Sequence, residues 1–140
     1  MNTSYTFQKL SKISKKYPNL IAIKEPTKDY NYKTFFDMVS NISDQILLKK
    51  KNSITAIIGE KDILSYVSIF GVLKSGGTYI PISSNMPTKR IIKIISMGKA
   101  SIIICNSRKV KFYKNIFPKK IFFTEKNLSV KKNNYVSNPK

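Results

Sequence analysis

The 140-residue chain has no histidine, no tryptophan and a single cysteine. Without histidine there is no His-based catalytic triad, no imidazole metal ligand and no imidazole acid–base chemistry at neutral pH. One thiol, Cys105, forms neither an intrachain disulfide nor a cysteine-cluster zinc site. Acids are scarce as well, seven against 26 basic residues. They are scattered, and no pair reads as a two-carboxylate centre or a Mg²⁺ site. No apolar run reaches the ~18–20 residues of a membrane span. The basic N-terminal stretch lacks the continuous apolar core of a secretory signal, so the expected compartment is cytoplasmic. Neither phosphate-cradling pattern, G-x-x-x-x-G-K-[ST] or G-x-G-x-x-G, occurs.

What is present is globular. Hydrophobic residues make up 41% and charged residues 24%, enough for an ordinary core without disulfides. The net charge of +19 suits polyphosphate, nucleic acid or an anionic membrane. Its make-up points elsewhere: 24 of the basic residues are Lys and two are Arg, while Ile stands at 21, Asn at 12 and Ala at three. Lys, Ile and Asn are what an AT-rich coding sequence supplies, and nucleic-acid surfaces favour Arg for bidentate and stacked contacts. Nucleic acid is therefore not the expected partner.

Phe7, Leu10, Ile13 and Tyr17 lie at helical spacing over Thr6 to Lys16. Pro18-Asn19 ends that helix, Leu20 to Ile23 reads as a strand, and Lys28 to Tyr32 as a turn with a short returning strand. Asn31 is placed to cap a helix running to about Leu48, whose inner face is Phe35, Val39, Ile42 and Ile46. From there strands and helices alternate. Strands are expected at 54–58, 78–82, 100–105 and 120–124. Helices are expected from Asp62 to Lys74 and from Pro87, which takes a favoured first helical position, with Ile91, Ile92, Ile95 and Met97 inward, and a helical turn is expected around Val110 to Tyr113. Gly71 marks close packing within the first of these helices, and Gly76 takes its left-handed C-terminal position. Such alternation means βαβ units: an α/β fold with a mainly parallel sheet and helices on both faces. The folded unit is expected over 1–124, with a disordered basic tail over 125–140.

Few residues suggest chemistry. Gly59 lies between a strand and a helix, but Glu60 and Asp62 beside it repel a phosphate. Cys105 lies in an apolar strand and reads as inert. Arg90 sits in a first helical turn, where its charge opposes the dipole and hints at a partner.

The specific signal is local. Val72-Leu73-Lys74-Ser75-Gly76-Gly77-Thr78-Tyr79-Ile80-Pro81-Ile82, followed by Pro87, Arg90 and Ile91, resembles the second core motif of the AMP-forming adenylating enzymes. That motif runs roughly L-K-A-G-x-A-Y-V-P-[IL]-D, then P-x-x-R-[IL]. The form here is most similar to the amino-acid-activating branch, the adenylation domains of nonribosomal peptide synthetases and the D-alanine–carrier protein ligases. Tyr30 to Phe35 resembles the first core motif. Phe7, Tyr17-Pro18-Asn19 and Ala22-Ile23 resemble the opening helix and strand. The likeness covers about residues 5–107. Ser83 and Ser84 replace the family's Asp and Pro, and Thr34 replaces a Glu.

The resemblance implies the leading part of the family's large N-terminal domain. The complete enzyme would use ATP and Mg²⁺ to make an acyl-adenylate and pass the acyl group to a carrier-protein thiol or CoA. The family's phosphate loop, adenine, Mg²⁺ and ribose motifs and lid lysine have no counterpart here. The resemblance therefore assigns no catalytic, cofactor-binding or metal residue and no bound cofactor to this chain, and makes a downstream polypeptide its natural partner. The alternative is a small basic module binding RNA or an anionic surface. Arg108 to Lys120, where Lys109, Lys111 and Lys114 alternate with Phe112, Tyr113 and Phe117, is the stretch nearest to that.

Overall fold

A computed structural model describes residues 5–129. Helix α1 (Tyr5–Lys16) leads into an antiparallel hairpin of β1 (Ile21–Lys24) and β2 (Asp29–Asn31), then α2 (Tyr32–Lys49). The Asn31 side chain accepts from the Thr34 backbone N–H at 2.8 Å and caps α2 as expected. The rest is β3 (Ile54–Gly59), α3 (Ile63–Lys74), β4 (Thr78–Ser83), α4 (Thr88–Met97), β5 (Ile102–Ile104), α5 (Ser107–Ile116) and β6 (Ile121–Phe123).

The four later strands form one parallel sheet in the order β4-β3-β5-β6. The chain moves one way from β3 to β4, then crosses back to β5 and on to β6. With right-handed crossovers that reversal puts α3 on one face and α4 and α5 on the other. The cores agree. Ile57, Ile102, Ile104 and Phe123 pack with Phe7, Leu10, Phe35, Val39, Ile42 and Val67 of α1, α2 and α3. Ala56, Ile58, Ile103 and Cys105, the alternate positions, pack with Ile91 and Ile95 of α4 and Tyr113 of α5. The fold is α/β with helices on both faces, as the residue pattern indicated. β4 is an edge strand with only Ile82 fully buried, which is where a proline such as Pro81 is tolerated.

Helix α3 ends in a Schellman turn. The Gly76 N–H donates to Leu73 O and the Gly77 N–H to Val72 O, with Gly76 at φ 82°. Gly76→Ala is expected to lower stability by about 1 kcal/mol or more, because a Cβ there meets the following carbonyl. Urea unfolding checks it, and an unchanged midpoint would reject it.

The structure departs from the sequence reading in four places. Met97 is not inward but 71% exposed, and Ile94 packs on the core in its stead. Two residues past buried Ile95, position 97 has turned about 200° round the helix. The turn at 110–113 is the middle of a ten-residue helix, and Pro87 stands just before α4 instead of inside it. The folded part also passes Thr124: Glu125–Asn127 forms a 3₁₀ turn and Leu128 is buried. Asn127 and Gln45 of α2 exchange hydrogen bonds at 2.8 and 3.0 Å, and Asn41 donates to the carbonyl of Ser129. The expected disordered tail over 130–140 lies outside the described residues.

Candidate functional site

In an open parallel sheet a ligand crevice forms beyond the carboxyl ends of the strands, where the winding reverses. Here that point lies between β3 and β5. It is occupied by a cleft of about 350 Å³. Gly59, Glu60 and Asp62 reach it from the end of β3, Cys105 and Asn106 from the end of β5, and Glu125 from the end of β6. Glu25, just past the hairpin strand β1, closes one side, and Arg108, Lys109 and Tyr113 of α5 close another.

Helices α3 and α5 both begin at this cleft, and positive helix ends invite anions. The chain's own acids fill them. Asp62 accepts from the Ser65 N–H at 2.9 Å, and Glu25 from the Ile63 N–H at 2.6 Å. On α5, Glu125 accepts from both the N–H and the hydroxyl of Ser107, and Asn106 accepts from the Arg108 N–H at 3.0 Å. Glu60 accepts from the hydroxyls of Ser84 and Ser83, which hold its carboxyl below the ordinary value. Thus the two serines standing where the resembled motif has Asp and Pro serve as donors to a neighbouring carboxylate.

Burial pushes the carboxyl of Glu125 up, but the hydrogen bonds from Ser107 outweigh it and leave it below the usual range. A carboxyl depressed in the folded state stabilises the fold above its unfolded pKa, and that stability is lost as pH falls through the lower folded value. Ser107→Ala is expected to move the Glu125 titration upward and to flatten the acid limb of the stability curve. An NMR titration of the Glu125 side chain checks this, and an unmoved midpoint would reject it.

Cys105 is fully buried in the cleft wall. Burial, helped by the charge of Glu125 and opposed by Lys109, pushes its thiol up to about 12. It stays protonated and is no nucleophile. Tyr113 is raised too, first by burial and then by Cys105. Gly59 is there for room: a Cβ would run into the Ser65 hydroxyl. Arg90 lies elsewhere, exposed on the first turn of α4. In the Arg108 to Lys120 stretch Tyr113 is buried and Phe117 is packed on the core, leaving Phe112 exposed. Those aromatics therefore do not form a stacking platform. Nothing in the local sequence singles out Glu25 or Glu125, since each acts on a helix start 38 or 18 residues away.

These residues do not fit a nucleoside triphosphate. The N–H groups of Ile63, Ser65, Ser107 and Arg108 already have side-chain acceptors, and the four carboxylates outnumber the two cations of the lining, Arg108 and Lys109. No group of three His, Cys, Asp or Glu among the described residues is placed to hold a metal ion. No helix among them is long and apolar enough to cross a membrane.

The pattern of the AMP-binding enzyme family matches residues 10–136. The chain belongs to that family. It is 29% identical over 98 residues to the D-alanine–D-alanyl carrier protein ligase of Lactococcus lactis, covering 69% of this chain and 20% of the ligase. It is 30% identical over 104 residues to gramicidin S synthase 1 of Brevibacillus brevis, covering 72% of this chain and 9% of that synthase. Its fold superposes on the nonribosomal peptide synthetase FmoA3 in the α-methyl-L-serine-AMP-bound form with a TM-score of 0.81 at 15% identity, over 91% of this chain and 15% of that one. The chain spans a fifth or less of these relatives, and the cleft between β3 and β5 lies within the stretch that the family matches.

Proposed function

We propose that this chain forms the leading part of an ATP-dependent, AMP-forming ligase that activates an amino acid or another carboxylate as its adenylate. The complete enzyme then hands the acyl group to a carrier-protein thiol or to CoA in the cytoplasm, with Mg²⁺ assisting the first step. The observation that carries the reading is the family match over 10–136. The glycine turn and Tyr-Pro strand at 76–82 support it. The contribution of residues 5–129 is architectural: they supply a rigid half-sheet and no donor for the triphosphate. Stabilising the charge that develops as pyrophosphate leaves needs preorganised donors and a cation, and these come from a downstream polypeptide.

The purified chain is therefore expected to show no amino-acid-dependent exchange of pyrophosphate into ATP. Grafted in place of the matching stretch of the Lactococcus lactis ligase, it is expected to restore D-alanine-dependent exchange above that of a ligase lacking the stretch. Exchange by the chain alone would reject its inactivity, and a folded graft without exchange would reject the reading.

A further inference from the structure

We propose that the open edge of β1 and the apolar groove beside it receive an extended segment from the remainder of the adenylating domain, the part that its relatives carry beyond the stretch matched here. The proposal rests on the functional reading above and says where on this chain that remainder attaches.

Among the described residues the hairpin β1–β2 is a two-stranded sheet on its own, and β1 has a neighbour on one side only. Two-stranded sheets are marginal, and an open edge is a template for another strand. The approach to this one is apolar: Leu20 is 56% and Ile21 51% exposed. Next to them runs a groove of about 300 Å³ between α1, β1, α2 and α3, walled by Leu10, Ile13, Ala22, Ile23, Tyr66 and Phe70. A strand added to β1 would make main-chain hydrogen bonds and set alternate side chains into that groove.

The rest of the surface is less suited. The four-stranded sheet has helices over both faces. The outer sides of α4 and α5 carry Lys89, Lys93, Lys111 and Lys114. Of the sheet edges, β4 contains Pro81, which has no N–H to offer, and β6 is three residues long. The chain spans 20% of the ligase, and on the functional reading above the other parts of the adenylating domain pack against some face of this unit. The hairpin side is the one with both a free edge and an apolar wall.

The test compares one substitution pair in two settings. Leu20→Lys with Ile21→Lys is expected to leave the thermal midpoint of the chain alone unchanged, because both side chains are exposed there. In the ligase graft the same pair is expected to lower D-alanine-dependent exchange at least about tenfold and to speed amide exchange at 21–24 by a similar factor. Met97→Lys with Phe112→Lys, on the opposite face, should change neither. A graft that works equally well with lysines at 20 and 21 would overturn the docking surface and leave the functional reading standing. A folded graft without activity but with slowed amides at 21–24 would do the reverse. If the graft does not fold, the amides are followed in the intact chain mixed with the ligase lacking its leading stretch. Slowing at 21–24 supports the surface and no slowing overturns it. Dimerisation of the chain alone that the lysine pair abolishes would assign the surface to a second copy and also overturn it.

Discussion

Gly71→Leu is expected to lower stability by about 3 kcal/mol or more, a large part of what a domain of this size possesses. Gly71 sits where α3 crosses α2. A Cβ there would collide with Cγ2 of Ile42, a methyl on a β-branched side chain that is fully buried, with the Val39 carbonyl close by. Ile42 has no flexible end to swing aside. Gly71→Ala is a smaller test, because alanine regains about 1 kcal/mol of helix propensity against the steric cost. A net loss of about 1 kcal/mol is expected. The diagnostic is the pair: Ile42→Ala removes the obstructing methyl, so Gly71→Ala added to it should cost little or nothing. Additive losses in urea titrations would show that the two positions do not meet.

The second large effect is at Cys105. A thiol pushed up to about 12 has about 1000-fold less thiolate at pH 8 than one at its ordinary value near 9.0. Full burial adds steric protection. Iodoacetamide is therefore expected to label the native protein at least about 1000-fold more slowly than the urea-unfolded chain. Rates within a factor of about ten would mean that the cleft wall opens readily. The same shift has a pH consequence of definite sign. Between about 9 and about 12 the unfolded chain ionises its thiol while the folded one keeps its proton, so stability falls as pH rises through that window.

The strands and helices are legible because their signals are local. The apolar runs at 54–58 and 101–105, the cap at Asn31 and the glycine pair after Lys74 each carry their meaning within a few residues. The parallel sheet follows from two short βαβ connections. What cannot be read is what distant residues do to one another. In sequence α5 looks like a single turn because part of what secures its start, Glu125, lies 18 residues on, beside the local cap of Asn106. The sequence pattern ends at Thr124 because nothing in the Lys- and Asn-rich stretch announces that Asn127 will pair with Gln45. The cleft itself is visible only as Gly59 with acids beside it. That four carboxylates from three parts of the chain converge there, and use their oxygens on serines and helix starts, is a property of the sheet's winding.

Those borrowed caps make the unit indivisible. Helix α3 contains every residue that should let it form, yet the N–H of Ile63 is satisfied by Glu25, on the far side of α2 in sequence. Helix α5 likewise depends on Glu125, a residue made after β6 is complete. A shortened chain that begins after the hairpin, or ends at β6, would keep all of its βαβ units and still leave a helix start open. Removing one end therefore loosens a helix in the middle, and the domain should gain or lose its structure in one cooperative step. A growing chain on the ribosome would hold α5 by its Asn106 cap alone, with the Ser107 N–H lacking its acceptor, until the residues just past Phe123 emerge.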